Sequence, residues 1–425
     1  MSGYRNVITL ILAICLMQAA ASFMGVITPV GLTELKAGET LTGLVGAVYS
    51  AGFMAGAWAG PALLGRYSTI RLYAAAAAIT AICALVMGMV PGIAAWGAAR
   101  VMQGIGFGLL FASAESWLGQ AVPKDRRGDM MGFYYFLSRI AGLLAPFLAF
   151  GLSALDPRGL SWVSILLCLS LVTMCLTRQA EPAPPGREVM RPLDLFRLAP
   201  SAVIGCFLAG LLNTGTLALL PTWTSTFAIG GGGTGAAALA AAAAAAGALL
   251  VQWPAGRISD RVERRLVVAG LSLFSGAAAL ALAAGATRFS EPVVLALLCL
   301  WGAGAFAFYG VCAAHAIDRA GPGRIPQVMS GILFVWAAGA VAGPIMSGVA
   351  MSLGGPQALF GLAAFGLFLL AGIMLVRSRV RAAPATAATE AFMPAEATSV
   401  AVPVPEPRAA DLPLNLSTRE SGAAD

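Results

Sequence analysis

The chain has 425 residues, enough for two or three soluble domains, yet 59% of them are apolar or aromatic and only 11% are charged. An ordinary globular domain carries roughly 25% charged residues, and a water-soluble surface of this size cannot be covered with so few. The same scarcity excludes a disordered chain and a basic nucleic-acid-binding domain, which leaves a polytopic membrane protein.

Taken in chain order and cut at charges, Pro and Gly clusters, the sequence yields twelve apolar segments. Each has about the 20 residues a helix needs to cross a bilayer. They cover 6–33, 40–64, 72–91, 94–120, 128–152 and 159–177, then 200–226, 236–256, 266–286, 292–315, 327–353 and 356–377. The first, though preceded by Arg5, stays apolar to Leu32 and is followed by further spans, so it reads as a helix rather than a signal peptide. Residues 178–199 contain Glu181-Pro182-Ala183-Pro184-Pro185-Gly186-Arg187, a charged, Pro-rich linker. It separates a bundle over 1–177 from one over 200–377, and the Ala/Pro/Glu-rich tail from 378 to 425 is expected to be disordered and cytoplasmic. The fold expected is all-α: twelve transmembrane helices in two pseudo-symmetric six-helix bundles.

Orientation follows from the basic residues. Loops after even-numbered spans and the two termini hold 21 of the 26, whereas loops after odd-numbered spans hold Lys36, Arg158 and Arg288. This places both termini and the linker in the cytoplasm. Trp96, Trp162 and Trp223 near the outer ends, with Trp117 and Trp253 near the inner ones, fit an aromatic belt. The seven cysteines all lie in apolar runs without C-x-x-C or Cys/His clusters, which reads as buried packing rather than disulfides or a metal site.

The halves echo each other. A shift of 198 carries Gly104 and Gly106 onto Gly302 and Gly304, Arg126 onto Arg324, Met131 onto Met329, Phe136 onto Phe334 and Pro146 onto Pro344. Two parallel six-helix repeats are a transporter plan with the substrate site between the halves.

The most specific string lies between spans 8 and 9: Gly256-Arg257-Ile258-Ser259-Asp260-Arg261-Val262-Glu263-Arg264-Arg265. It resembles the G-x-L-A-D-R-x-G-R-R gating loop of the major facilitator superfamily, with Glu263 where the second Gly is usual. The resemblance implies a gate in which Asp260 meets a helix N-terminus of the other half, near Gly128, while Arg261, Arg264 and Arg265 complete a charge network. A carboxylate near exposed helix N–H groups gains charge–dipole energy, which makes such a latch sound. The equivalent first-half loop, Gly60 to Arg66, has Leu64 where Asp belongs, so the latch is expected to be asymmetric.

Span 4 holds Arg100-Val101-Met102-Gln103-Gly104-Ile105-Gly106, similar to the family's R-x-x-Q-G-x-G stretch, whose Arg is implicated in proton coupling. An Arg inside a span costs at least ~2.5 kcal/mol on insertion scales and normally faces water or a partner, the alternative here being snorkelling to the headgroups. Apart from Asp129 at the start of span 5, Glu115 is the only acid inside a span, fifteen residues and ~22 Å from Arg100 along the helix. Span 5 adds Arg139 with Tyr135 one turn earlier. Arg139 is expected to line the cavity and to bind an anionic substrate group or pair with Glu115; the alternative for Glu115 is an anchor to Arg126 or Arg127. Gln18 and Asn213 fall in spans 1 and 7, which form the cavity in the resembled family. His315, beside Asp318, reads as a solvated helix end or a proton relay. Gly339, Gly343 and Ser347 on span 11 form a small-residue stripe for close packing.

The resemblance covers about residues 5–380 and is nearest a poorly characterised bacterial permease branch. It implies a non-enzymatic secondary transporter of the bacterial inner membrane, moving a small solute by alternating access with H+ as coupling ion. No cofactor, metal or nucleic acid is called for; the partners are the solute, the lipid bilayer and no second subunit, so a monomer. The alternatives are an uncoupled facilitator and a transport-incompetent sensor or scaffold.

Overall fold

The structure is a computed structural model that describes residues 2–121, 127–177, 190–226, 232–320 and 324–380; the side chains of 2–7, 119–120, 127–132 and Pro326 are not described. The tail from 381 and the Pro-rich centre of the linker therefore lie outside the described residues, as does Arg126.

The first half comprises α1 (Ser2–Glu34), α2 (Glu39–Leu64), α3 (Thr69–Met89), α4 (Ile93–Ala121), α5 (Arg127–Leu144) and α6 (Pro157–Cys175), with a 3-10 turn at Ala145–Ala149 extending α5. A short α7 (Pro192–Leu198) ends the linker. Span 7 is composite: α8 (Pro200–Ala209), a π-turn at Gly210–Thr214 and α9 (Gly215–Thr224). Then come α10 (Gly233–Ser259), α11 (Arg264–Gly285), α12 (Glu291–Ala305), α13 (Phe308–Ala320), α14 (Ile325–Gly354) and α15 (Gln357–Val380). Among the described residues eleven helical stretches are long and apolar enough to cross a membrane, with Pro200–Thr224 and Glu291–Ala320 each counting once. The shorter apolar helix Phe133–Ala149 supplies the twelfth. Helices suit this setting because lipid offers backbone groups no partner, so each must be satisfied within its own segment.

Two hydrophobic cores form, one built from α1–α6 with Ala237 of α10 and the other from α7–α15. The glycine pairs of the internal repeat explain how each core closes. A Cβ on Gly104 would strike the carbonyl of Tyr49 on α2, and one on Gly302 that of Ala244 on α10. Likewise Gly106 abuts Thr80 on α3 and Gly304 abuts Ser275 on α11. Equivalent glycines therefore let spans 4 and 10 touch equivalent neighbours at backbone distance, so the pseudo-symmetry is physical. The stripe on α14 works the same way: Gly339 and Gly343 lie against the carbonyls of Phe207 and Leu211.

The halves meet at the end carrying the loops after odd-numbered spans. There Gly43 of α2 lies against the carbonyl of Pro344 on α14, and Gly348 against that of Glu39. Thr40 Oγ1 donates to Ser352 Oγ (3.1 Å), and the hydroxyls of Thr33 and Thr222 are 3.3 Å apart. Thr234 Oγ1 donates to the carbonyls of Ala149 (2.9 Å) and Leu152 (2.8 Å).

Several expectations need correction. Trp96, Trp117 and Trp223 are buried, so only the exposed Trp162 and Trp253 occupy belt-like positions. These three indoles fill gaps between helices, and a large ring packs against neighbouring helices as readily as against headgroups. Cys168 and Cys175 are exposed on α6 rather than buried. His315 is not solvated: it is buried beside Arg264, Arg265, Arg319 and Arg377. The interruptions of spans 7 and 10 carry no Pro at the break and were not legible in the hydropathy.

Candidate functional site between the two halves

Glu115 is buried on α4, and the hydroxyl of Tyr134 on α5 donates to its Oε1 at 3.4 Å. The rings of Tyr134 and Tyr135 lie 4.8 Å apart. Tyr309, at the start of α13 in the other half, is within electrostatic reach of both Glu115 and Tyr135. The thiols of Cys206 and Cys312 are within the same electrostatic reach, and its ring is 6.4 Å from that of Trp336 on α14. A buried carboxylate with two tyrosine rings in one half thus lies within electrostatic range of Tyr309 in the other.

Arg139 follows Tyr135 by one helical turn and is half-buried. Its level is set by α1: Ser138 faces Cys15 at 3.8 Å, and Ser22 Oγ donates to the carbonyl of Gly142 at 2.6 Å. Gln18, one turn before Ser22, also lies against Gly142. Arg139 and Gln18 therefore share a depth, one turn further from the gating loop than Tyr135. The alternative anchor of Glu115 to Arg126 or Arg127 falls outside the described side chains.

Arg100 forms a separate station. It is buried, not snorkelling; its guanidinium stacks 3.8 Å from the centroid of Tyr49 on α2, and Nη1 donates to Gln103 Oε1 at 3.2 Å. Among the described residues its Nε and the Nε2 of Gln103 have no partner, donors that are costly to leave buried and dry.

Asn213 sits in the π-turn of span 7, and its Nδ2 donates at 2.7 Å to the carbonyl of Ala305, the last residue of α12. Its Oδ1 and the indole Nε1 of Trp336 are buried without partners among the described residues. π-Turns and broken spans at mid-membrane depth commonly accompany binding sites.

The loop from Gly256 to Arg265, expected to gate, lies at the opposite end from the α2–α14 contact. Asp260 pairs with Arg264 (3.5 Å), and Arg264 is held more tightly by Asp318 (2.6 Å). Arg265 pairs with Glu263 and donates to the carbonyl of Arg377 at 2.6 Å. Gly256 accepts from Ser259 Oγ at 2.7 Å, and Arg261 follows directly in the loop. The expected meeting of Asp260 with the start of α5 near Gly128 lies outside the described side chains.

The structure brings Glu115 to Tyr134 and, through it, beside Tyr135, sets Gln18 against Gly142 one turn beyond Arg139, and holds Arg100 with Gln103 at a separate level. Sequence reasoning missed Tyr49, Tyr134 and Tyr309. The available signal was scarcity: the chain has only seven tyrosines, and four of them sit at these polar stations.

Comparison with known proteins agrees with this architecture. The family model described as Major Facilitator Superfamily matches residues 9–330 and 202–413. The chain belongs to the major facilitator superfamily of membrane transporters. It is 22% identical over 376 residues to the uncharacterized MFS-type transporter YcaD of Escherichia fergusonii, spanning 88% of this chain and 96% of that one. To YcaD of Salmonella typhimurium it is 23% identical over 382 residues, 89% of this chain and 97% of the relative. Among solved structures, the nucleoside transporter NupG superposes with a TM-score of 0.71 at 17% identity, covering 89% of this chain and 99% of that one. A bacterial homolog of the human lysosomal transporter Spinster, inward-facing and occupied, gives 0.71 at 15% identity, with 89% and 97% covered. At these identities the solved structures show the fold alone.

Proposed function

We propose that the protein is a proton-coupled secondary transporter whose solute binds between the bundles, beside Glu115, Tyr135, Arg139 and Tyr309. The observation that carries this reading is the buried Glu115 carboxylate, held by Tyr134 of α5, a helix that packs against α10 of the other half; Tyr309 lies within longer electrostatic range. A cluster split between two bodies is remade when one body rocks against the other, so its ligand senses that motion. Glu115 is the proton-accepting group, and Arg139 receives an anionic part of the solute.

The 21-to-3 split of basic residues supports a cytoplasmic position for the gating loop and both termini. With that orientation the α2–α14 contact closes the outer side, and the state described is inward-facing. Bacterial relatives support an inner-membrane location.

Proteoliposome flux tests the reading across a panel of sugars, organic anions and drugs, with and without a pH gradient. The parent protein is expected to move at least one solute faster under the gradient. Glu115→Gln should abolish the gradient's effect, and Arg139→Ala should weaken uptake of anionic solutes most. Gradient-insensitive flux in the parent would make it an uncoupled facilitator. Parent-like rates and pH dependence in both variants would remove these residues from the pathway.

A further inference from the structure

A second binding site is legible on the flank of the C-terminal half, away from the cluster between the bundles. α8, α14 and α15 leave a lateral groove of about 430 Å³ between them. Its wall includes Ile204, Phe207, Phe334, Ala338 and Ile373, and no polar side chain contributes to it. Along α8 the lining begins at Val203, three residues from the helix start. On α14 and α15 it lies within about 20 Å of the gating-loop end, from helical rise. The groove thus occupies the depth of one leaflet.

Pro192 of α7 closes the end of the groove nearest the gating loop. α7 has the make-up of an interfacial helix. Leu195 is fully buried and pins it to α14, where the Met190 N–H donates to the carbonyl of Gln327 at 3.2 Å. Leu193 and Phe196 are exposed apolar residues on the same short helix. Arg191 is exposed directly beside Pro192; Arg197, also exposed, lies 3.8 Å from Asp194. On α15, Arg377 follows Ile373 by one turn, donating to Ser201 Oγ at 2.8 Å, and Arg379 is exposed beyond it. An apolar slot at leaflet depth, roofed by apolar side chains and rimmed by guanidinium groups, complements an acyl chain joined to an anionic headgroup.

We propose that this groove binds one anionic phospholipid, its acyl chain between α8, α14 and α15 and its phosphate at Arg191. Arg191 supplies charge-assisted donors to the phosphate, and Arg379 adds to the local positive field. The occupant is distinguished from ordinary boundary lipid by its headgroup, because a zwitterionic lipid fills the slot equally well but gains less at the rim. The proposal stands apart from the transport reading, and neither depends on the other.

The test uses the full chain in phosphatidylcholine nanodiscs containing a trace of phosphatidylglycerol with a photoreactive acyl chain. Labelled peptides are mapped by mass spectrometry. Label is expected to concentrate on peptides containing Phe207, Phe334 and Ile373, and excess phosphatidylglycerol should compete at least threefold better than excess phosphatidylcholine. Arg191→Gln, an exposed substitution, and Ala338→Phe, which fills the slot, should each reduce that label at least threefold while labelling of α6 around Val172 stays unchanged. Equal competition by the two lipids would overturn the proposal, as would label spread evenly over the bilayer-facing surface or parent-like labelling of Arg191→Gln.

Discussion

The side-chain amide of Asn213 donates to the carbonyl of Ala305 at 2.7 Å, joining the π-turn of span 7 to the break in span 10. Each interruption removes regular helical hydrogen bonds at mid-membrane depth, where water cannot replace them. Asn213→Leu leaves the Ala305 carbonyl buried without that donor, a loss of about 1–3 kcal/mol. The measurable result is a lowered unfolding temperature in detergent. Asn213→Gln, longer by one methylene in a packed site, should recover only part of it.

The seam between Gly43 and Pro344 makes a conformational prediction. A side chain at 43 has no room against the Pro344 carbonyl, so Gly43→Val should hold α2 and α14 apart at that end. A cysteine introduced at Thr33, in a cysteine-free background, should then react faster with a membrane-impermeant maleimide added from outside. Asp260→Asn weakens the pair with Arg264 on the opposite side and should change the same labelling rate in the reverse direction. Equal rates in all three proteins would disprove the coupling of seam and loop.

Arg264 and Asp318 form a two-pronged pair, Nε to Oδ2 at 2.6 Å and Nη2 to Oδ1 at 3.2 Å, with both side chains buried. Breaking a buried pair typically costs about 3–5 kcal/mol, less for Asp318→Ala, which leaves Arg264 its longer pair with Asp260. Arg264→Ala and Asp318→Ala should each lower thermal stability strongly. The double variant should lose less than the sum of the two, measured by a double-mutant cycle.

At the other station, Tyr49→Leu removes the ring under the Arg100 guanidinium, a contact worth about 0.5–2 kcal/mol when desolvated. Arg100→Lys keeps the charge but loses the planar group that both stacks on Tyr49 and reaches Gln103. Both variants should reduce flux without changing expression, with the lysine variant the more impaired. A parent-like rate for Arg100→Lys would show that charge alone suffices there.

The membrane class, the twelve spans and the repeat were legible because they rest on local composition and on spacing that survives in a linear string. The stretch from Gly256 to Arg265 was legible for a different reason: its ten consecutive residues keep their meaning wherever they are placed. Glu115, Arg139 and Arg100 stood out because charge inside a span is expensive and therefore conspicuous.

What the tertiary structure alone decided is which of these meet. Arg100 meets Tyr49 on α2 and Glu115 meets Tyr134 on α5, partners on neighbouring helices that spacing along span 4 does not name. Tyr309 comes within electrostatic range of Glu115 only through the docking of one bundle on the other, a relation nearly two hundred residues long in sequence and invisible to periodicity. His315 and the tryptophans show the same limit. Hydropathy marks a residue as apolar or polar, but in a protein whose exterior is also apolar it cannot say whether the side chain faces lipid or a neighbouring helix. Packing between helices makes that choice, and with it the shape of the site.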